Sequence, residues 1–192
     1  MNAYRFLCGS VFDRPRRGEQ AVGVRLPYPA LARYDLFDLL EERTREGDFC
    51  VVAVARNPVA CLVSLKQAAH SGVWAEGPNA PRRELSPMPV RLDPQELTRF
   101  CRQYDAVTGK VRRAAAVAPD AYLEVAYRDL VFDYRRQVER VLEFLELPQQ
   151  VAPTPGIRRL KNETFERRVT NLVEVRAAVP SDVRAHLDAE PF

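Results

Sequence analysis

Arg56 and Ser64 are the two residues whose types and spacing point most directly to a binding site. Arg56 follows the apolar run FCVVAVA (49–55), and the next two residues, Asn57 and Pro58, favour the start of a helix. Ser64 lies about two turns into that helix. A guanidinium and a hydroxyl at this spacing can hold one phosphate oxygen, and the helix N-terminus also favours an anion. The pattern predicts an anion pocket built without a glycine-rich loop.

Each residue of this region also has a structural interpretation, which stays open at this point. Arg56 could pair with a carboxylate at the end of the strand, and the Ser64 hydroxyl could bond back to its own helix backbone. His70, further along the same helix, is a candidate general base. A histidine on a helix is more often structural or merely exposed, so the sequence leaves the catalytic base unassigned.

The elements that must position these residues alternate between strands and helices. Apolar runs and alternating patterns predict strands at 21–26, 49–55 and 122–127. Helical spacing predicts helices at 35–45, 58–70, 93–111, 133–147 and near 172–187. The strand at 49–55 is apolar throughout, which is typical of a strand buried on both faces of a parallel sheet.

Two proline-rich stretches interrupt this order, a long loop at Gly72–Pro94 and a linker at 149–157. The remaining alternation predicts an α/β domain with a mostly parallel sheet flanked by helices. Ligands in such folds bind beyond the carboxyl ends of the strands, where Arg56 is expected to lie.

Composition limits the class of protein. A chain of 192 residues that is 46% hydrophobic and 29% charged fits one soluble domain, 1–192, and its net charge of +3 is too small to predict nucleic-acid binding. No apolar run reaches the roughly 20 residues that span a bilayer, so a cytoplasmic location is expected.

Cys8, Cys50, Cys61 and Cys101 are predicted to be free thiols, the last three of them buried. With two histidines, the chain predicts no metal site.

Four ordered segments resemble one family. Arg56, Asn57, Pro58 and Ser64 resemble the 3′-phosphate motif of sulfotransferases that use PAPS (3′-phosphoadenosine-5′-phosphosulfate). The segment 64–74 is similar to bacterial sulfotransferases acting on nodulation factors and trehalose. Residues 127–130 resemble the family's Tyr-Glu-Asp-Leu, with arginine replacing the glutamate, and the helix at 133–147 matches in pattern. Residues 160–171 resemble a late segment of this subgroup, and the whole resemblance spans about 23–178.

The resemblance implies a three-layer, P-loop-NTPase-like sulfotransferase fold, with PAPS or its product PAP as co-substrate and no metal. Arg56 and Ser64 would hold the 3′-phosphate, and Lys161 would close over it, because a basic residue of the late segment has this role in the broader family. Lys161 could instead belong to a solvated basic face with Arg158 and Arg159. The implied reaction is sulfuryl transfer to a hydroxyl of a carbohydrate or glycosylated metabolite, with the loop Gly72–Pro94 shaping the acceptor pocket.

The chain departs from the family pattern at its start. No Arg-Ser-Gly-Thr segment for the 5′-phosphosulfate occurs, and Cys8, Gly9 and Ser10 lack the basic residue and the second half of such a loop. We therefore expect an N-terminally truncated domain whose exposed sheet edge favours a homodimer. A non-catalytic remnant, acting as a nucleotide-binding or interaction module, is the alternative function. A nucleotide kinase relative is a third interpretation, disfavoured by the missing P-loop.

Overall fold

The computed structural model describes residues 21–73, 88–148 and 164–189. Within these ranges the elements, in chain order, are α1 (Tyr28–Tyr34), α2 (Phe37–Arg45), β1 (Val51–Ala55), α3 (Pro58–Ser71), α4 (Pro94–Ala115), β2 (Tyr122–Ala126), α5 (Tyr127–Phe132), α6 (Tyr134–Phe144), α7 (Phe165–Arg168), α8 (Leu172–Ala178) and α9 (Ser181–Asp188). β1 and β2 pair in a small parallel sheet. The predicted mixture of helices with a parallel sheet is confirmed in this part of the chain.

The strand–turn–helix unit β1–α3 forms as predicted. The Asn57 side-chain Oδ1 accepts hydrogen bonds from the backbone N–H groups of Val59 (2.9 Å) and Ala60 (3.3 Å), which satisfies two of the helix's otherwise unpaired donors. Pro58 opens the helix, where its missing N–H costs nothing. Gly72 closes it with a φ of 70°, a left-handed conformation that glycine adopts without strain.

The predicted burial of β1 on both faces is wrong. Ala53 is 7% exposed, whereas Val52 and Val54 on the other face are 36% and 40% exposed. Apolar side chains allow a strand to be buried on both faces. Whether both faces are in fact buried depends on the elements that pack against each of them. β1 is therefore covered mainly on the side of Ala53.

The predicted strand at 21–26 is also wrong, because these residues form neither strand nor helix. A short alternating pattern becomes a strand only where a neighbouring strand completes its hydrogen bonds. After this segment, α1 begins at Tyr28 with Pro29 in its first turn, a position that tolerates proline.

One predicted helix is divided in the structure, and one short helix was not predicted. α6 lies within the predicted range 133–147, whereas α5 precedes it and ends before Asp133 (φ −141°, ψ 55°), so Tyr127 begins a helix instead of ending β2. Pro180 separates α8 from α9, because proline lacks the N–H that a continuous helix would need. The predicted linker at 149–157 and the loop residues 74–87 lie outside the described residues.

The chain forms two compact units. The described residues of the first unit are 21–53, 106–124 and 140–148. Its buried apolar cluster combines side chains of α1 and α2 with two from the second half of α4: Leu31, Leu36, Phe37, Leu39, Val107 and Val111. The α2 helix supplies much of this cluster, which agrees with the apolar face that its sequence predicts.

The described residues of the second unit are 54–73, 88–105, 125–139 and 164–189. Its cluster packs α3 and the first half of α4 with the C-terminal helices, through Val59, Ala60, Leu62, Val63, Leu92, Leu97, Cys101, Phe165, Val169, Leu172, Val175, Val179, Val183 and Leu187. The start of α3 is therefore held in a dry core, and the site described below belongs to this unit.

The three described cysteines are free thiols, as predicted, but they differ in burial. Cys101 is buried and Cys61 is half-buried, whereas Cys50 is exposed, so the prediction of burial is wrong for Cys50. Cys8 lies outside the described residues. In the described part of the chain, no helix has the length and apolar character needed to cross a membrane.

Candidate anion site at the start of α3

Arg56 and Tyr127 meet at one edge of the sheet. β1 and β2 are parallel, so their carboxyl ends lie at the same edge, and these two residues directly follow the strands. The Arg56 Cζ atom lies 4.3 Å from the centroid of the Tyr127 ring. This cation–π contact supports one face of the guanidinium and fixes where its N–H groups point.

Two guanidinium groups converge on the Ser64 hydroxyl. Arg56 Nη2 donates a hydrogen bond to Ser64 Oγ at 3.0 Å, and Arg168 Nη2 donates to the same oxygen at 3.1 Å. A serine hydroxyl has two lone pairs and one proton, so both lone pairs are used and the proton remains to be donated. Ser64 can thus offer a hydrogen bond to an acceptor that both positive charges attract.

A short parallel pairing brings Arg168 to this place. Val90 N–H donates to the Arg168 carbonyl at 2.8 Å, and Thr170 N–H donates to the Val90 carbonyl at 3.0 Å. The buried Asn171 side chain then clamps Leu92, accepting from its N–H at 3.0 Å and donating to its carbonyl at 2.9 Å. These four bonds fix the backbone from Arg168 to Asn171 and so limit where the Arg168 side chain can reach.

Gln67, one turn after Ser64 on α3, completes the arrangement. Its Oε1 accepts from Arg168 Nε at 3.3 Å and from Arg168 Nη2 at 2.7 Å. Its Nε2 donates to the Met88 carbonyl at 3.1 Å. Gln67 therefore joins Arg168 to both α3 and the segment that begins at residue 88.

Arg56 carries a positive charge that its contacts among the described residues do not cancel. It donates to the neutral oxygen of Ser64 and stacks on Tyr127, and no carboxylate in the described ranges forms an ion pair with it. The Arg56 Nε atom is buried and has no hydrogen-bond partner. A buried donor without a partner is costly and calls for an explanation, which an anion at the site would supply.

The nearest titratable thiol adds no negative charge. Burial raises the pKa of Cys61, and this outweighs the lowering by Arg56 and by a hydrogen bond with Tyr104. The thiol is therefore protonated near neutral pH and leaves the guanidinium charge uncompensated.

The helix start is also tied to the C-terminal helix. Asn57 Nδ2 donates to the backbone carbonyl of His186 at 2.8 Å, and the His186 Nε2 atom lies 2.9 Å from Asp105 Oδ2 on α4. One asparagine side chain thus caps α3 and holds α9 against it. This contact stabilises the N-terminus of α3 beside Arg56.

The structure brings together two of the sequence-predicted site residues, Arg56 and Ser64, whereas Lys161 lies outside the described residues. His70 is exposed in the last turn of α3 and lies about 120° around the helix axis from Ser64 at 3.6 residues per turn. Its assignment as a base remains a prediction.

Sequence reasoning named neither Arg168 nor Tyr127 as a site residue. The available signals were the basic character of the late segment and the resemblance of residues 127–130 to the family's Tyr-Glu-Asp-Leu. A separate cavity of about 320 Å³ lies along the first half of α4 and includes Arg99 and Arg102, but none of the residues of the anion site. Among the described residues, no group of three or more His, Cys, Asp or Glu side chains is placed to hold a metal ion.

Comparison with known proteins gives one family match. Residues 47–151, more than half of the chain, match the model of the sulfotransferase family. This range includes β1, Arg56, Ser64 and Tyr127, whereas Arg168 lies beyond it. No curated protein and no solved structure matches the chain significantly.

Proposed function

Because the chain belongs to the sulfotransferase family, whose common reaction is sulfuryl transfer, we propose that it uses PAPS as the donor and a hydroxyl of a carbohydrate or glycosylated metabolite as the acceptor. The observation that carries the proposal is the convergence of Arg56 and Arg168 on Ser64 Oγ, at 3.0 and 3.1 Å. In this proposal the three side chains bind the 3′-phosphate of PAPS.

The chemistry of the three groups suits a phosphate monoester. Such a phosphate carries close to two negative charges at neutral pH, and two guanidiniums can match that charge. Guanidinium N–H groups form strong, directional bonds to phosphate oxygens, and the Ser64 proton is left over for one more bond. The N–H groups at the start of α3 add a favourable dipole at the same end of the helix.

The proposal extends to parts of the chain that lie wholly or partly outside the described residues. Lys161 is proposed to close over the phosphate, and the loop Gly72–Pro94 is proposed to shape the acceptor pocket. The chain 1–192 would then act as one three-layer, P-loop-NTPase-like domain in the cytoplasm. Its partners would be a small-molecule or glycan acceptor and a second copy of the chain.

Catalysis needs two further groups, a base for the acceptor hydroxyl and donors that stabilise charge on the sulfuryl group. His70 is the residue proposed as base, yet it is exposed at the far end of α3 from Arg56. That placement favours, as a second candidate function, a binding module that keeps the 3′-phosphate site without turnover. Both functions need the same arginines, so activity alone separates them.

Isothermal titration calorimetry with PAP, against 5′-AMP as the matched ligand without a 3′-phosphate, tests the site. We expect PAP to bind at least about 30-fold more tightly, because losing a hydrogen-bonded buried charge costs about 2 kcal/mol or more. Equal affinity for the two nucleotides would refute the proposal. Turnover of ³⁵S-labelled PAPS with a panel of sugar acceptors then distinguishes the enzyme from the binding module.

A further inference from the structure

We infer that Gln67 is a positioning residue for the anion site: it orients the Arg168 guanidinium toward Ser64 and, being neutral, adds no negative charge beside it. The inference rests on the proposed function in that it takes the site to bind an anion. It adds a residue whose role follows from its contacts with Arg168 and Met88.

Gln67 holds one edge of the guanidinium. Its Oε1 accepts from both Nε and Nη2 of Arg168, at 3.3 and 2.7 Å, while the same Nη2 donates to Ser64 Oγ at 3.1 Å. The guanidinium is planar and rigid, so fixing two of its nitrogens fixes the direction of the remaining N–H groups. An arginine side chain without this partner would lose much of its orientation to rotamer freedom.

Gln67 is itself fixed at both ends. It lies three residues after Ser64, a spacing that puts both side chains on the same side of α3. Its amide nitrogen donates to the Met88 carbonyl at 3.1 Å, so the amide oxygen must face Arg168. The reverse orientation would bring two donors against each other and leave a carbonyl facing a carbonyl.

The choice of amide over carboxylate matters for charge. A glutamate at this position has nearly the same shape and could accept the same bonds from Arg168. It would also place a negative charge beside the guanidinium and could not donate to the Met88 carbonyl. The added negative charge would repel a phosphate dianion, which would be bound less tightly.

Comparing the PAP affinities of Gln67→Ala and Gln67→Glu distinguishes a positioning role from a merely structural one. We expect Gln67→Ala to raise the Kd for PAP by about 3- to 10-fold, and Gln67→Glu to raise it by about 10-fold or more. A residue that only fills space would give the opposite order, because glutamate preserves the shape. Gln103→Glu, the same charge change on an exposed residue of α4, is the matched control and should stay within about twofold.

A double-variant cycle with Arg168→Ala tests whether Gln67 acts through Arg168. In that background, Gln67→Ala should change the Kd for PAP by less than about twofold, because its partner is already absent. Gln67→Ala costing as much without Arg168 as with it would overturn the inference. So would wild-type affinity in both Gln67 variants. Melting temperatures of the unliganded variants show that each one is folded.

Inorganic phosphate, measured by its stabilisation of the protein against heat, separates this inference from the proposed function. If phosphate stabilises wild type and shows the same order of Gln67 variants, but PAP binds no better than 5′-AMP, the inference stands and the donor assignment fails. If PAP binds wild type selectively and all Gln67 variants equally well, the inference fails alone. If neither ligand binds wild type, both fail.

Discussion

Arginine is used in opposite ways in the two units of the molecule. In the first unit, Arg112 donates to both oxygens of Glu124, at 2.8 and 3.0 Å, and the Tyr122 hydroxyl donates to the same carboxylate at 2.8 Å. In the second unit, Arg56 and Arg168 donate to the neutral oxygen of Ser64. The number of arginines therefore says little about where a site lies; the charge of their partners says more.

The two arrangements differ in what they can still bind. The hydrogen bond from Arg112 lowers the pKa of Glu124, while burial and the bond to Glu124 raise the pKa of Tyr122 to about 12. Each charge of this cluster is already matched within the cluster. In the second unit, Arg56 has no carboxylate partner among the described residues and its buried Nε–H is unpaired, while Ser64 has a hydroxyl proton to donate, so this group can gain by binding an anion.

The largest difference in PAP affinity is expected between a variant that lacks Arg56 and a variant that lacks Arg112. Arg56→Ala should weaken PAP binding by about 2–5 kcal/mol, at least 30-fold in Kd, because it removes a partly buried charge that contacts the ligand. Arg112→Ala should leave the Kd for PAP within about twofold, since it belongs to a structural ion pair. Calorimetry on both variants checks this. Equal losses of affinity would remove the distinction between the two clusters.

A smaller loss of PAP affinity is expected from removing the Ser64 hydroxyl, to which both guanidiniums donate. Ser64→Ala removes a hydrogen bond to a charged ligand, worth about 1.5–3 kcal/mol, and so should raise the Kd for PAP by about 10- to 150-fold. Both arginines remain, and the loss should therefore fall short of that in Arg56→Ala. Ser71→Ala, at the far end of the same helix, is the control. Unchanged PAP affinity in Ser64→Ala would mean that the hydroxyl does not face the ligand.

Removing the Asn57 cap at the start of α3, next to Arg56, should lower the stability of the protein by a moderate amount. Asn57→Ala removes the cap of α3 and the bond to the His186 carbonyl, which should lower the free energy of unfolding by about 0.5–2 kcal/mol. Asn57→Ser keeps a capping hydroxyl and should recover most of the capping loss. Urea unfolding monitored by circular dichroism measures both. A cap of no importance would leave all three proteins with the same midpoint.

The smallest effect, on stability at low pH, is expected from Glu124, which bonds to Arg112 and Tyr122 in the first unit. The pKa of Glu124 is lowered in the folded protein, so its contribution to stability is present above the unfolded value of 4.5 and is lost as the pH falls through the folded value. The Glu124 side chain is 36% exposed, so solvent screening limits this contribution to about 0–1 kcal/mol. Urea unfolding at pH 7 and pH 3 should show a smaller acid loss in Glu124→Gln than in wild type. The same acid loss in both would exclude a role for this carboxylate.

The β1–α3 unit was predictable because its signals are local. An apolar run, a capping asparagine and a proline in succession specify a strand, a turn and a helix start within ten residues, and Asn57 caps the helix as expected. Burial was not predictable in the same way. The exposure of Val52, Val54 and Cys50 depends on which elements pack on each side, and the chain pattern around them is the same as for a fully covered strand.

The candidate anion site was also predictable only in part. The sequence by itself determined that Arg56 follows the strand and that Ser64 lies two turns into the next helix, a spacing that lets the two side chains face one ligand. Only the tertiary structure decided that Arg168 joins them and that Gln67 orients it. Ser64 and Arg168 are 104 positions apart, and they meet because the backbone around Val90 pairs with that around Arg168. A contact of that range depends on the folded backbone, and neither residue type nor local spacing encodes it.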